Sequence, residues 1–188
     1  MAQAAPPARP VEVFLYPSAA TKRAWMGADK VDLAKPWLGQ VHLTLPEYGA
    51  SVLTHEMAHV FAAELTPSPL GLPGRVGLPV DAWLVEGVAM AVEWPTSEDL
   101  DLHDWSAAMR RLGLAPDLAV LLSSGQFWRQ PGPRAYTLAG SFVRWLYERD
   151  PGVLARLYAS SDIEQATGQS LAVLARDWAA FVDGRTLS

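Results

Sequence analysis

Two histidines four residues apart, with a glutamate after the first, make His55-Glu56-Met57-Ala58-His59 the stretch of this chain best equipped for chemistry. Helical hydrophobic spacing surrounds it, with Val52, Leu53, Val60 and Phe61 available to pack. On a helix, positions i and i+4 share a face about 6 Å apart along the axis, so both imidazoles can converge on one cation at roughly 2.0 to 2.1 Å. Glu56 is turned about 100° from His55 and cannot crowd that cation. It can reach a water bound there, which is where a general base is needed. The bland alternative is that the spacing is accidental and each histidine meets ordinary hydrogen-bond partners.

A catalytic zinc takes three protein ligands and leaves a fourth place for water, so a third donor must come from elsewhere. The chain contains no cysteine, so the donor is a histidine or a carboxylate. Glu64, five residues after His59 on the same helix, is about 140° round and faces away. His42 and His103 lack any supporting pattern. Glu86 stands in the apolar turn Trp83-Leu84-Val85-Glu86-Gly87-Val88-Ala89, where an unpaired carboxylate is expensive to bury and a cation would remove that cost. The alternatives are a favourable charge near a helix N-terminus or a pair with an arginine.

Together, H-E-M-A-H at 55–59 and W-L-V-E-G-V-A at 83–89 resemble the gluzincin metallopeptidases, the peptidase MA-like domains in which H-E-x-x-H is followed by a glutamate. Tyr136-Thr137-Leu138-Ala139-Gly140-Ser141-Phe142-Val143-Arg144-Trp145-Leu146 is similar to the next helix of such domains. The likeness covers roughly residues 11 to 183. It implies one zinc per chain held by His55, His59 and Glu86, with Glu56 activating water for attack on a peptide carbonyl. It also implies that Tyr136 donates to the oxyanion, although a tyrosine opening an amphipathic helix is commonly an interface residue. By the same resemblance, the strand Val41–Leu45 is the edge strand on which a peptide or unfolded protein substrate aligns. Met90 stands where thermolysin-like enzymes place an acid behind the metal histidines. Which residue orients His55 or His59 is therefore open: Glu93, two turns beyond Glu86 on the same face, is one candidate, but it reads rather as a solvated residue near the helix end.

These residues need elements to hold them. Val11–Tyr16 and Val41–Leu45 alternate as strands, the second with one wet face carrying His42, and a short helix follows Ser18. Helices are expected over about 50–66, from the N-cap Asp81 to Pro95, over 101–112, over 134–149, after an Asp150-Pro151 start, and over 170–182. The irregular 67–80 segment, rich in proline and glycine, should wall a cleft. The fold class is α+β: a small N-terminal antiparallel or mixed sheet, then a mainly helical zincin-like core. Residues 1–10 read as a disordered lead-in and 11–188 as one domain. The eight tryptophans, spread one per element, read as core.

Composition excludes other chemistries. At 188 residues and 50% hydrophobic, the chain can bury a core without disulfides or a structural metal, so any metal is functional. A net charge of −5 with no basic stripe argues against nucleic acid. No apolar run reaches the length of a membrane span. Without cysteine, a deformylase-type zinc site is excluded too. Ala2-Gln3-Ala4 matches a signal-cleavage remnant and leans toward export, while a lead-in to a cytoplasmic protein remains the other reading. The competing functions are a non-catalytic or latent zincin-like binding module and a zinc hydrolase of non-peptide amides or esters.

Overall fold

The computed structural model describes residues 10–29, 31–45, 49–74, 80–95, 99–123 and 125–187. The lead-in almost entirely, the Ala2-Gln3-Ala4 box and residues 75–79 of the cleft-walling segment lie outside these. Among the described residues the order is β1 (Glu12–Tyr16), α1 (Ala19–Met26), β2 (Leu33–Lys35), β3 (Gln40–Thr44), α2 (Ala50–Ala62), α3 (Ala82–Glu93) and α4 (Leu102–Arg111), followed by α5 (Leu118–Leu121), α6 (Gly132–Arg149), α7 (Val153–Ser160), α8 (Ile163–Thr167) and α9 (Leu171–Asp183). The protein is α+β, a small mixed sheet followed by helices.

The sheet runs β1-β3-β2, with β1 parallel and β2 antiparallel to β3. This corrects the reading of Val41–Leu45 as an edge strand with a wet face. It is the central strand, and both faces are buried, Val41 and Leu43 on one and His42 and Thr44 on the other. His42 is polar yet enclosed because Phe14 stacks on it at 4.8 Å and the Tyr16 hydroxyl lies 2.9 Å from its Nδ1. Burial, with Lys35 and Lys22 nearby, pulls its pKa down and keeps the ring neutral. The edge strand toward the helices is β2, whose three residues are too few to show a period.

Two apolar clusters flank α2. Val60 joins Ala34, Val41 and Leu43 beneath the sheet, with Val52, Leu53 and Met57 against them. The larger cluster unites α3, α6, α7 and α9 through Leu84, Val88, Leu138, Phe142, Leu157 and Trp178. Glycine sets the spacing of α3 and α6, the most extensive helix pairing in the fold. A Cβ on Gly87 would stand 2.7 Å from Val143 Cγ2 and 3.0 Å from the Ala139 carbonyl oxygen, and one on Gly140 would stand 2.6 Å from Met90 Cβ. The two backbones therefore approach at small residues from both sides, which brings the start of α6 close to Glu86.

Several boundary expectations shift. Asp81 occupies the N-cap position of α3, but its side chain makes no capping hydrogen bond. Asp150 ends α6 rather than capping the next helix, which starts at Val153 after Gly152. Trp83, Trp145 and Trp178 are core, but Trp25, Trp37 and Trp128 are 80%, 39% and 63% exposed, against the reading of all eight as core.

Candidate metal centre

Residues 55, 56 and 59 lie within the thirteen-residue α2, and Glu86 follows one turn into α3, which packs beside it. Helical spacing turns both imidazoles toward α3, their rings 4.9 Å apart and nearly perpendicular. The donor atoms of His55, Glu56 and His59 fall within 4.8 Å of one another, a group that can hold a metal ion. Glu86 Oε2 is 3.4 Å from His55 Nε2 and 3.7 Å from His59 Nε2. Two ligand atoms on a tetrahedral zinc are roughly 3.3 Å apart, because each bond is about 2.05 Å. Glu86 Oε2 therefore stands close to a tetrahedral ligand separation from each imidazole nitrogen, and two imidazoles with a carboxylate form a donor set suited to zinc.

Glu93 corrects its assignment as a solvated residue. Its Oε2 is 3.0 Å from His55 Nδ1. Two turns of α3 separate Glu86 from Glu93 on one face, so when the first points at His55 the second reaches the far side of the same ring. The contact fixes the ring and, when His55 is neutral, keeps its proton on Nδ1 and the Nε2 lone pair toward Glu86 and His59. Met90 contributes no charge here; it faces Gly140 at the helix crossing. The i+7 spacing of Glu86 and Glu93 was a legible signal, but only once α3 was known to lie against α2.

The electrostatics follow from burial among carboxylates. Burial pulls the His55 pKa down, but hydrogen bonds to Glu86 and Glu93 and the nearby Glu56 outweigh it and hold the pKa at about 9. His59 lacks such a partner on Nδ1 among the described residues, and burial lowers its pKa to about 4 despite Glu86. It stays neutral at pH 7. Glu56 is buried; desolvation raises its pKa, His55 opposes this, Glu86 adds to it, and the Ala34 backbone N–H opposes it, leaving the value at about 7. A carboxyl poised near neutrality can take and return a proton.

That Ala34 contact links the sheet to the centre. Ala34 lies on β2, and its N–H points to Glu56 off the free edge. Tyr136, in the first turns of α6, hydrogen-bonds to Glu86; burial, then the Glu86 charge and that bond, push its pKa well above the ordinary phenol value. Both residues line a cleft of about 680 Å³ that also contains His55, Glu56, His59 and Glu86. Leu72 and Val80, from the 67–80 segment, form part of its wall. Glu64 is exposed at the end of the α2 coil, while His42 and His103 lie in other parts of the fold. Compared with known proteins, the chain matches no family model, no curated protein and no solved structure.

Proposed function

We propose that the protein is a zinc-dependent peptidase of the zincin-like, gluzincin type, in which His55, His59 and Glu86 hold one zinc and Glu56 is the general base. The observation that carries this reading is the placement of Glu86 Oε2 close to a tetrahedral ligand separation from both His55 Nε2 and His59 Nε2, beside the buried carboxyl of Glu56. When bound, zinc supplies the Lewis acidity that polarises a peptide carbonyl and acidifies the attacking water.

The chain's own residues do the rest. Glu56 accepts the proton of the attacking water at a carboxylate oxygen and returns it to the leaving amine. Tyr136, a phenol that is neutral at pH 7 in any case, turns its single O–H from Glu86 to the developing oxyanion. Glu93 orients His55 through Nδ1. An extended peptide lies along β2, the strand that carries Ala34 into the cleft, and main-chain pairing there recognises backbone before side chains.

The test is hydrolysis of an unfolded protein. Activity should vanish on chelation and return with zinc, and Glu56→Gln should keep zinc while losing turnover. Undiminished turnover in Glu56→Gln would remove the base from the mechanism and the proposal with it.

A further inference from the structure

We infer that Lys22 is a positioning residue for the candidate active site: from α1 it grips the start of β2 and fixes the register in which that strand offers Ala34 to Glu56 and its outer edge to a substrate backbone. The consequence for turnover rests on the peptidase reading. The effect on the strand does not, and it is measured without any substrate.

Lys22 is 0% exposed, and it is the one side chain that the eight-residue α1 buries. Lysine is almost never fully buried unless its charge is met. Here Nζ donates to Asp32 Oδ1 at 2.9 Å and to the Val31 carbonyl oxygen. The same Asp32 oxygen accepts the Thr44 N–H at 2.9 Å, so a single carboxylate atom joins α1, the residue before β2 and the last residue of β3. An apolar side chain would anchor α1 without the cost of dehydrating a cation. The best-attested use of a buried ion pair is to fix one register among several, and β2 is a strand that needs this.

β2 is three residues long and pairs with β3 along one side, Leu33 opposite His42, Ala34 opposite Val41 and Lys35 opposite Gln40. So short a strand holds its register weakly, and a slip of one residue exchanges its two faces. In the register observed, Ala34 packs with Val41, Leu43 and Val60 while its N–H reaches Glu56. A slip would put Leu33 or Lys35 in its place and take that N–H from the base. Pro36 opens the 3-10 turn Pro36–Leu38 directly after the strand and has no N–H to extend the ladder, so the register is set from the other end. Asp32 stands at that end, and it also lines the cleft that contains His55, Glu56, His59 and Glu86. Lys22 does not line the cleft and acts on it through β2.

The experiment uses the full chain with zinc supplied, unsubstituted and as Lys22→Met and Lys22→Arg. Removing one partner of a buried ion pair can unfold a chain, whereas removing both leaves no uncompensated charge, so Lys22→Met/Asp32→Asn is carried in parallel. Amide hydrogen exchange is read by NMR at Leu33, Ala34 and Lys35 of β2 and, for comparison, at Val88 of α3 and Phe142 of α6. The variants without the lysine should exchange about 10- to 100-fold faster in β2 with the two helices unchanged. Lys22→Arg, which keeps the charge and the donors, should retain most of the protection. Faster exchange that is equal in β2 and the helices, no faster exchange, or failure of both lysine-free variants to fold would overturn the inference, since the pair would then be a global or an idle contact. Kinetics read the consequence for the site. Loss of the lysine should raise KM about 10-fold for an end-blocked octapeptide and leave KM for a blocked dipeptide amide, too short to follow β2, within about 3-fold. An equal rise for both substrates would remove β2 as the means by which Lys22 acts. Selective exchange in β2 without hydrolysis of any peptide by the unsubstituted protein counts against the peptidase reading and leaves the positioning role standing, while hydrolysis with exchange and KM unchanged in every variant does the reverse.

Discussion

Replacing Glu93 with glutamine should weaken zinc binding by an amount that depends on pH, because Glu93 acts on His55 in two opposed ways. Its Oε2, 3.0 Å from Nδ1, orients the ring and increases the basicity of Nε2 toward a cation. Losing a carboxylate in that position costs about 10- to 100-fold in metal affinity, or roughly 1.4 to 2.7 kcal/mol. The same carboxylate helps hold the His55 pKa at about 9, so at pH 7 a proton competes with zinc by about 100-fold. That competition fades as pH rises through the raised pKa. Glu93→Gln therefore lowers the intrinsic affinity and relieves part of the proton competition at once. The loss should be largest near pH 8.5 and shrink toward pH 6.5, and the variant's affinity should climb less steeply with pH than the unsubstituted protein's. Competition against a chromophoric chelator across that range measures both quantities. An identical pH slope in the two proteins, or an unchanged affinity at pH 8.5, would refute the role given to Glu93.

Tyr136→Phe should lower kcat by about 10²- to 10³-fold with little change in KM if the phenol donates to the oxyanion, whereas a zinc affinity that falls in parallel would show that its bond to Glu86 is its whole contribution. Gly87→Ala forces a Cβ to 2.7 Å from Val143 Cγ2 and should destabilise the fold by about 1 to 3 kcal/mol, less the gain in helix propensity, as a lower urea midpoint with an unchanged m-value. His103 is buried against Ser141 Oγ at 2.8 Å, and burial chiefly lowers its pKa. The unfolded chain thus takes up the proton first, near pH 6.5, and stability falls as pH drops below that value, by at most about 1.4 kcal/mol per pH unit until the native ring titrates. His103→Asn should show a shallower decline in unfolding free energy between pH 7 and 5; an equal decline would exclude His103 as its source.

What the sequence made legible was local. The period of α2 places His55 and His59 on one face without any knowledge of neighbours, and the apolar turn around Glu86 marks a carboxylate in need of a partner. What stayed hidden depended on contacts between distant segments. β2 is three residues long, and no period can be read from it. β3 alternates like a half-wet strand, yet His42 is enclosed by Phe14 and Tyr16 from a strand about 26 residues earlier. Glu93 and Trp128 look like solvated and core residues by type, and only the packing of α3 on α2 and the turn before α6 reverse those readings.

X-ray absorption at the zinc edge, compared between the unsubstituted protein and Glu86→Ala, tests the account at its centre. The expected shell is one zinc per chain with two imidazole nitrogens at about 2.0 Å and two oxygens, and Glu86→Ala should lose the carboxylate oxygen from that shell or fail to retain stoichiometric zinc. Failure of the unsubstituted protein to bind one equivalent, or an identical shell in Glu86→Ala, would contradict it.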